Sequence, residues 1–471
     1  MTSWSPKPVD GEGPFYARLA DGIEQAVADG AVAGGEKLPP QRNLAYDLGV
    51  TIGTIGRAYA LLRERGIVSG EVGRGTYVLD RETGAAEHGA DRFAQSFFGT
   101  RMVETPPDKL RFDTTAAPDI AQGAIIGTVL GEIAAQQPLE VASYSRTTPE
   151  DWLDAGVRWL SRNGWSPAKE DIVPTQGATA AALSVITAMS APGDRIAFET
   201  LTYSFMARSA RLAGRRTISV ETDADGMVPE DFERVCAQQH PKIAFLMPTI
   251  HNPTLAILPE SRRRAIAEIA QRYGVWLIED DLYGAMSDDP TPLVASFAPD
   301  RTFVVGGLSK SVAAGLRGGW VACPPHVAQR LKVTHKLLTG GLSYVLAEAG
   351  ARLVLSGAAG DLSRRSMEEI AARHALVSRI FAGYEFASHR YCPFIWLKLP
   401  EPWLSGTFKA AAAKLDILID DEDEYKAERM DRSFHRSRMA FSSMNRAGVE
   451  EGFTQLRRLL DSGAAGYDGD A

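Results

Sequence analysis

The sequence predicts a chain of two kinds of fold: a small helical head, and behind it a large α/β body that ends in a smaller α+β region. Three observations lead there. Residues 14–78 show three successive helical periods followed by two short strand-like runs. After residue 110, apolar strand-like runs alternate with helical patterns, which implies a mainly parallel sheet. Between them, from Asp80 to about Asp108, no steady period survives. A chain of 471 residues also exceeds what one core organises, so two or three domains are expected.

In the head, Tyr16, Leu19, Ala20, Ile23 and Val27 recur at helical spacing. Gly34-Gly35 breaks that helix, and Leu38-Pro39-Pro40 introduces a second, with Leu44, Ala45 and Leu48 on one face. Thr51 is placed to cap a third helix that buries Ile55, Tyr59 and Leu62. Gly66–Gly70 and Gly75–Leu79 read as two strands joined by a glycine-bounded turn. Helix, helix, turn, helix and a two-stranded wing outline a winged helix-turn-helix over residues 12–79. Residues 80–108 read as a linker, in which Phe93, Phe97 and Phe98 are candidates to dock.

In the body, strands are expected at Ile172–Pro174, Arg195–Phe198, Thr217–Val220, Ile243–Met247, Val275–Ile278, Phe303–Val305 and Trp320–Ala322. The clearest intervening helix carries Ala265, Ile266, Ile269, Ala270 and Tyr273 on one face. We place the large α/β domain at 109–325. A C-terminal part at 326–463 begins with helices and adds strands at Phe394–Leu399 and around Arg438–Phe441.

Composition narrows the function class. A net charge of −8 argues against coating by nucleic acid or membrane surface, so any DNA contact comes from a local patch. Cys236, Cys323 and Cys392 lie far apart with no CxxC pair, which points away from a disulfide framework and from a bound metal. The N-terminal residues lack the basic and apolar regions of a signal peptide, and the most apolar long stretch, Ala178–Ala191, is shorter than the ~20 residues a membrane helix needs. A cytoplasmic protein that does not engage a membrane is expected.

Ligands of open α/β sheets collect at the carboxyl ends of strands, and the chemically distinctive residues fall there. Gly177, Ala178 and Thr179 open a helix after a strand, so their amides can cradle a phosphate. Asn252 follows the 243–247 strand and can donate to a phenolate-type oxygen. Asp280, after an apolar strand, can hold a protonated pyridine nitrogen and deepen an electron sink. Lys310 sits in Gly306-Gly-Leu-Ser-Lys-Ser-Val-Ala-Ala-Gly-Leu-Arg317, where a lysine can form a Schiff base with an aldehyde cofactor and Arg317 can hold its phosphate. Taken singly, each has an ordinary reading: a glycine turn, an Asn-Pro turn, a helix cap, a surface lysine.

The order Gly-Ala-Thr, Tyr, Asn-Pro, Asp-x-x-Tyr, Ser-Lys and Arg resembles the fold-type I pyridoxal-phosphate enzymes of the aminotransferase superfamily over roughly residues 110–460. The resemblance implies that Lys310 is the internal aldimine lysine and that Asp280 partners the pyridine nitrogen. It further implies that Asn252 and Tyr283 contact the ring hydroxyl oxygen, and that Gly177, Ala178, Thr179, Ser309 and Arg317 surround the phosphate. Tyr203 matches the aromatic that stacks on the ring, although an aromatic there serves equally as core packing. Tyr144 matches a tyrosine that reaches the phosphate of a neighbouring subunit, which implies a homodimer. Arg438, in Ser-Arg-Met-Ala-Phe, matches the arginine that grips a substrate carboxylate; alone it reads as a solvated charge. The chain departs from the family at Gly307, where serine is common, and after Tyr144, where the usual Gly-Leu-Pro-x-Leu-Arg wording is missing.

The head, through Leu38-Pro-Pro-Gln-Arg42, Leu48-Gly-Val-Thr51, Thr54-Ile55, Arg57-Ala-Tyr59 and Gly73-Arg-Gly-Thr-Tyr-Val78, resembles the GntR-type winged helix-turn-helix. That resemblance implies that Arg42, Thr51, Thr54 and Arg57 face DNA, with Arg74 at the wing tip. Within residues 40–78 five arginines face three acids. Ile52 stands where the family often has an arginine.

A GntR head on an aminotransferase-like body resembles the MocR-type transcription regulators. The implied protein is a dimer that binds pyridoxal 5'-phosphate and a double-stranded DNA operator, and that senses an amino compound through Lys310. The alternative is a working aminotransferase that carries a DNA-binding head.

Overall fold

The computed structural model describes residues 6–9, 14–33, 36–65, 67–71, 75–78, 109–145, 147–428, 430 and 432–463. Residues 1–99 and 100–471 form two separate compact units, each described by itself. Arg74 and the linker phenylalanines Phe93, Phe97 and Phe98 lie outside the described residues.

The first unit is built of helices α1 (Phe15–Ala28), α2 (Gln41–Asp47) and α3 (Ile52–Glu64), and of strands β1 (Val68–Glu71) and β2 (Gly75–Val78). The side chains that recur at helical spacing close its core: Leu19, Ala20 and Ile23 meet Leu44, Ala45, Ile55, Tyr59 and Leu62, with Val68 and Val78 from the wing. Thr51 caps α3 as expected, its Oγ1 accepting the Thr54 N–H at 3.2 Å. Such a cap contributes about 1 kcal/mol. The Tyr59 hydroxyl donates to the Pro39 carbonyl at 2.8 Å, tying α3 to the entry of α2. Arg65 ties α3 to α1 through Asp21 at 2.6 Å and Glu24 at 2.7 Å. β1 and β2 pair antiparallel, and β2 also bonds the segment before α2, where Leu38 N–H donates to Thr76 O at 2.7 Å.

The second unit contains β3 (Leu110–Arg111), β4 (Ile172–Thr175), β5 (Arg195–Glu199), β6 (Arg216–Val220), the short pair β7 (Thr222–Asp223) and β8 (Gly226–Met227), β9 (Ile243–Leu246), β10 (Trp276–Asp280), β11 (Thr302–Gly307) and β12 (Gly319–Ala322). A seven-stranded sheet runs β4-β12-β11-β10-β9-β5-β6. Its pairs are parallel except the two made by β12. Apart from the edge strand β6, the strands are buried along nearly their whole length, as a sheet covered by helices on both faces requires.

The C-terminal part follows with β13 (Phe386–Ser388), β14 (Phe394–Lys398), β15 (Ile417–Leu418), β16 (Asp420–Asp421) and β17 (Arg436–Ala440). Its four-stranded antiparallel sheet has the order β13-β14-β17-β16. β15 pairs in parallel with β3, so residues 110–111, which the sequence reading places at the head of the large domain, are bonded to the C-terminal part. Phe112 continues the tie: its N–H donates to Leu418 O at 2.8 Å and its carbonyl accepts the Ala440 N–H at 2.7 Å. The described part of the chain contains no helix long and apolar enough to cross a membrane. The three cysteines are buried and free.

Candidate functional site

The site assembles where β4, β9, β10, β11 and the loop before β12 end, joined by β17 of the C-terminal part. Gly177 opens the helix Gly177–Met189 with φ +79, a backbone shape that favours glycine. A Cβ there would stand 3.5 Å from the carbonyl of Arg317, so the helix N-terminus and the Arg317 loop are neighbours. Arg317 is exposed and makes no ion pair among the described residues. A guanidinium beside a helix N-terminus can hold an anion. Ala178 and Thr179 continue that first turn, while the Ser309 carbonyl accepts the Ala117 N–H at 3.0 Å.

Lys310 Nζ donates to Thr115 Oγ1 at 2.9 Å. Asp280, 4% exposed at the end of β10, accepts the Leu282 N–H on Oδ1 at 3.2 Å. Burial raises its carboxyl to about 7, against the Leu282 hydrogen bond and the Lys310 charge, which lower it. Such a carboxylate gains from any cation brought against it. The Tyr283 hydroxyl is buried; burial is the main cause that pushes its titration upward, opposed by the Thr115 hydroxyl, which lies near it outside ordinary hydrogen-bond geometry. A buried donor of this kind is costly unless a ligand satisfies it.

Asn252 Oδ1 accepts from Arg438 Nη1 at 3.2 Å. Arg438 lies on β17 and is only 2% exposed. The structure thus gathers Lys310, Asp280, Tyr283, Asn252 and Arg438 around one place, while Gly177 and Arg317 adjoin each other at the N-terminus of the helix Gly177–Met189. Tyr203 ends the loop before the helix Ser204–Leu212 and stacks on Phe205 at 5.9 Å between centroids. Tyr144 is not brought to the pocket by its own chain: it is 95% exposed. Gly307 has a local reason, because a Cβ there would lie 2.9 Å from the Gly318 carbonyl.

Several residues of the site carry no sequence signal that marks them. Thr115 comes from the segment behind β3. Arg162 clamps Asp281, with Nε donating to Oδ2 at 2.6 Å. His251 is buried with Nε2 3.2 Å from Glu199 Oε2. Asp420 Oδ2 accepts from Arg438 Nη2 at 2.6 Å. Asp420 opens the acidic run Asp420-Asp-Glu-Asp-Glu424, and the pairing of β16 with β17 places it on the arginine.

In the head, Arg42, Thr51 and Arg57 are exposed and Thr54 is half-buried, its Oγ1 2.9 Å from that of Thr51. Arg42 and Arg57 make no ion pair among the described residues, which leaves two cations at the start of α2 and along α3.

The comparisons agree with both halves of this geometry. The family model of aminotransferase class I and II matches residues 134–383, and that of the bacterial regulatory proteins of the gntR family matches residues 15–78. The chain is 30% identical to the uncharacterized HTH-type transcriptional regulator YdeF of Bacillus subtilis, covering 98% of this chain and 97% of that one. It is 25% identical to the probable rhizopine catabolism regulatory protein MocR of Rhizobium meliloti, over 69% of this chain and 68% of the relative. Among solved structures, the multiple substrate aminotransferase of Thermococcus profundus superposes with a TM-score of 0.69 at 20% identity, covering 81% of this chain and 96% of that one. The chain belongs to the HTH-type transcriptional regulators of the MocR type, in which a gntR-family head is fused to a body of the aminotransferase class I and II family.

Proposed function

We propose that the chain is a dimeric DNA-binding regulator whose body binds pyridoxal 5'-phosphate and, through Lys310, an amino compound that acts as effector. The observation that carries the reading is the intact set Lys310, Asp280, Tyr283, Asn252 and Arg317 in a chain that also presents Arg42 and Arg57 on an exposed face of its head. The donor set fits the cofactor chemically. The Gly177 turn and Arg317 supply an anion cradle, Asp280 a buried carboxylate for a protonated ring nitrogen, and the Tyr283 hydroxyl a donor in need of an acceptor. When bound, the cofactor supplies an aldehyde that an amine can capture. Lys310 Nζ holds that position, and Thr115 orients it.

Exposed apolar surface supports the dimer. The helix Gln122–Gln136 is rich in Ile, Val, Leu and Ala yet buries only Ile133 fully, and Leu139, Tyr144 and Leu337 are largely exposed nearby in sequence or fold. Surfaces of that kind mark protein contacts, and a partner there would bring Tyr144 to the neighbouring phosphate cradle. An effector shifts the heads on DNA only by binding one conformation of the body better than another. The completeness of the Lys310 set equally favours a second reading, a turning-over aminotransferase with a DNA-binding head.

Absorbance of the purified chain with added cofactor tests the lysine: a visible band is expected, and Lys310→Ala abolishes it. Binding to the DNA upstream of the chain's own gene, modulated by an amino compound without release of keto acid, supports the regulator. Steady keto-acid production supports the enzyme, and absence of both band and DNA binding overturns the reading.

A further inference from the structure

Arg438 stands where a carboxylate-gripping arginine is expected, but its hydrogen bonds leave no fork to offer. A guanidinium grips a carboxylate with two parallel N–H bonds, from Nη1 and Nη2 or from Nε and Nη2. Either fork needs a proton of Nη2. Here Nη2 donates to Asp420 Oδ2 at 2.6 Å and to the Asp113 carbonyl at 2.8 Å, which occupies both of its protons. Nη1 donates to Asn252 Oδ1 at 3.2 Å. The rings of Phe394 and Tyr425 flank the guanidinium with centroids 5.2 and 5.0 Å from its carbon.

Asp420 is held in place as firmly. Its Oδ2 also accepts the Tyr425 hydroxyl at 2.6 Å, and its backbone carbonyl accepts Ser437 Oγ at 2.8 Å. The β16–β17 register sets it directly opposite Arg438. Asp420 is 1% exposed. An incoming carboxylate would have to displace it and leave a buried anion without its cation, which is among the more costly things a folded site can do. Arg438 nevertheless belongs to the Lys310 pocket. The Asp113 carbonyl that it bonds and the Thr115 hydroxyl that Lys310 bonds lie two residues apart on one segment.

We propose that Asp420 is a built-in occupant of the carboxylate subsite, so that the Lys310 pocket selects primary amines that lack a carboxylate over amino acids. This inference rests on the reading of Lys310 as the point of amine attachment, and its test separates the two. The full-length chain loaded with pyridoxal 5'-phosphate is titrated with L-leucine and with isopentylamine, the same skeleton without the carboxylate, and displacement of Lys310 is followed by the change in cofactor absorbance. Isopentylamine is expected to bind at least about tenfold more tightly, and Asp420→Asn is expected to narrow or reverse the preference.

A second measurement needs neither cofactor nor lysine chemistry. Calorimetric titration of the unloaded chain with maleate is expected to give no binding to the wild type and measurable binding to Asp420→Asn. Tighter binding of L-leucine than of isopentylamine by the wild type, or equal binding of maleate by both chains, overturns the proposal. If neither amine displaces Lys310, the attachment reading fails while the maleate contrast still decides the role of Asp420. Should Asp420→Asn not fold, the wild-type preference between the two amines, with its response to maleate, decides it.

Discussion

Asp280 offers a quantitative handle on the site, because its titration is set by burial and not by an ion pair. The perturbation is Asp280→Asn, compared with the wild type in the unloaded chain as pH is raised from 5 to 8. In the folded chain the carboxyl titrates near 7, against 3.8 for the free side chain. A carboxyl raised on folding binds more protons in the native state than in the unfolded one, so its contribution to stability is lost as pH rises between those two values. At pH 5 the penalty on the folded state is about 2 kcal/mol and at pH 8 about 4 kcal/mol, at roughly 1.4 kcal/mol per unit. The wild type is therefore expected to lose about 2–3 kcal/mol relative to Asp280→Asn across that interval. Denaturant midpoints measured on both chains at each pH report the difference, since other titrating groups cancel between them. Loading with pyridoxal 5'-phosphate is expected to flatten the trend, because a protonated ring nitrogen would give the ionised carboxylate a cation. A difference between the chains that is constant with pH, or that grows in favour of the wild type, would refute the reasoning.

Two further outcomes follow from the head and from the C-terminal part. Arg57→Ala and Arg42→Ala are each expected to weaken DNA binding and, where the arginine meets a phosphate, to lower the slope of log K against log salt by about one. An unchanged affinity and slope for both variants would remove α2 and α3 from the interface. Gly452 lies on the helix Arg446–Asp461, and a Cβ there would overlap the Phe112 ring. Gly452→Ala is expected to cost about 1–3 kcal/mol in overpacking. Because Phe112 leads into Asp113 and Thr115, this variant is also expected to weaken retention of the cofactor; calorimetric melting and cofactor absorbance check the two effects together.

Much of this protein is legible locally. The head's core is carried by side chains at helical spacing, and Thr51 caps α3 as its position before an apolar run implies. The strands of the large sheet lie at the apolar runs that announce them, within a residue or two at each end. The glycine turn at Gly177 is also local, since a turn after a strand and before a helix needs only neighbours in sequence. What escapes such reading comes from far along the chain. Residues 110–111 pair with β15 of the C-terminal part, which no period or turn announces, and this pairing carries Thr115 to Lys310. The antiparallel direction of β12 is equally silent, because a buried strand has the same composition whichever way it runs.

Periodicity, capping and turn chemistry act between residues close in the chain, so the head and the alternating strands of the body are legible in the sequence, whereas Lys310, Asp280, Asn252, Tyr283 and Arg317 stand out only through an order of motifs that resembles the aminotransferase superfamily. What Arg438 has to offer is set by contacts from distant strands. Cross-strand register is set by long-range packing, and here it lays Asp420 against the Arg438 guanidinium. A buried charge is defined by what faces it, and in this chain what faces it comes from a different strand.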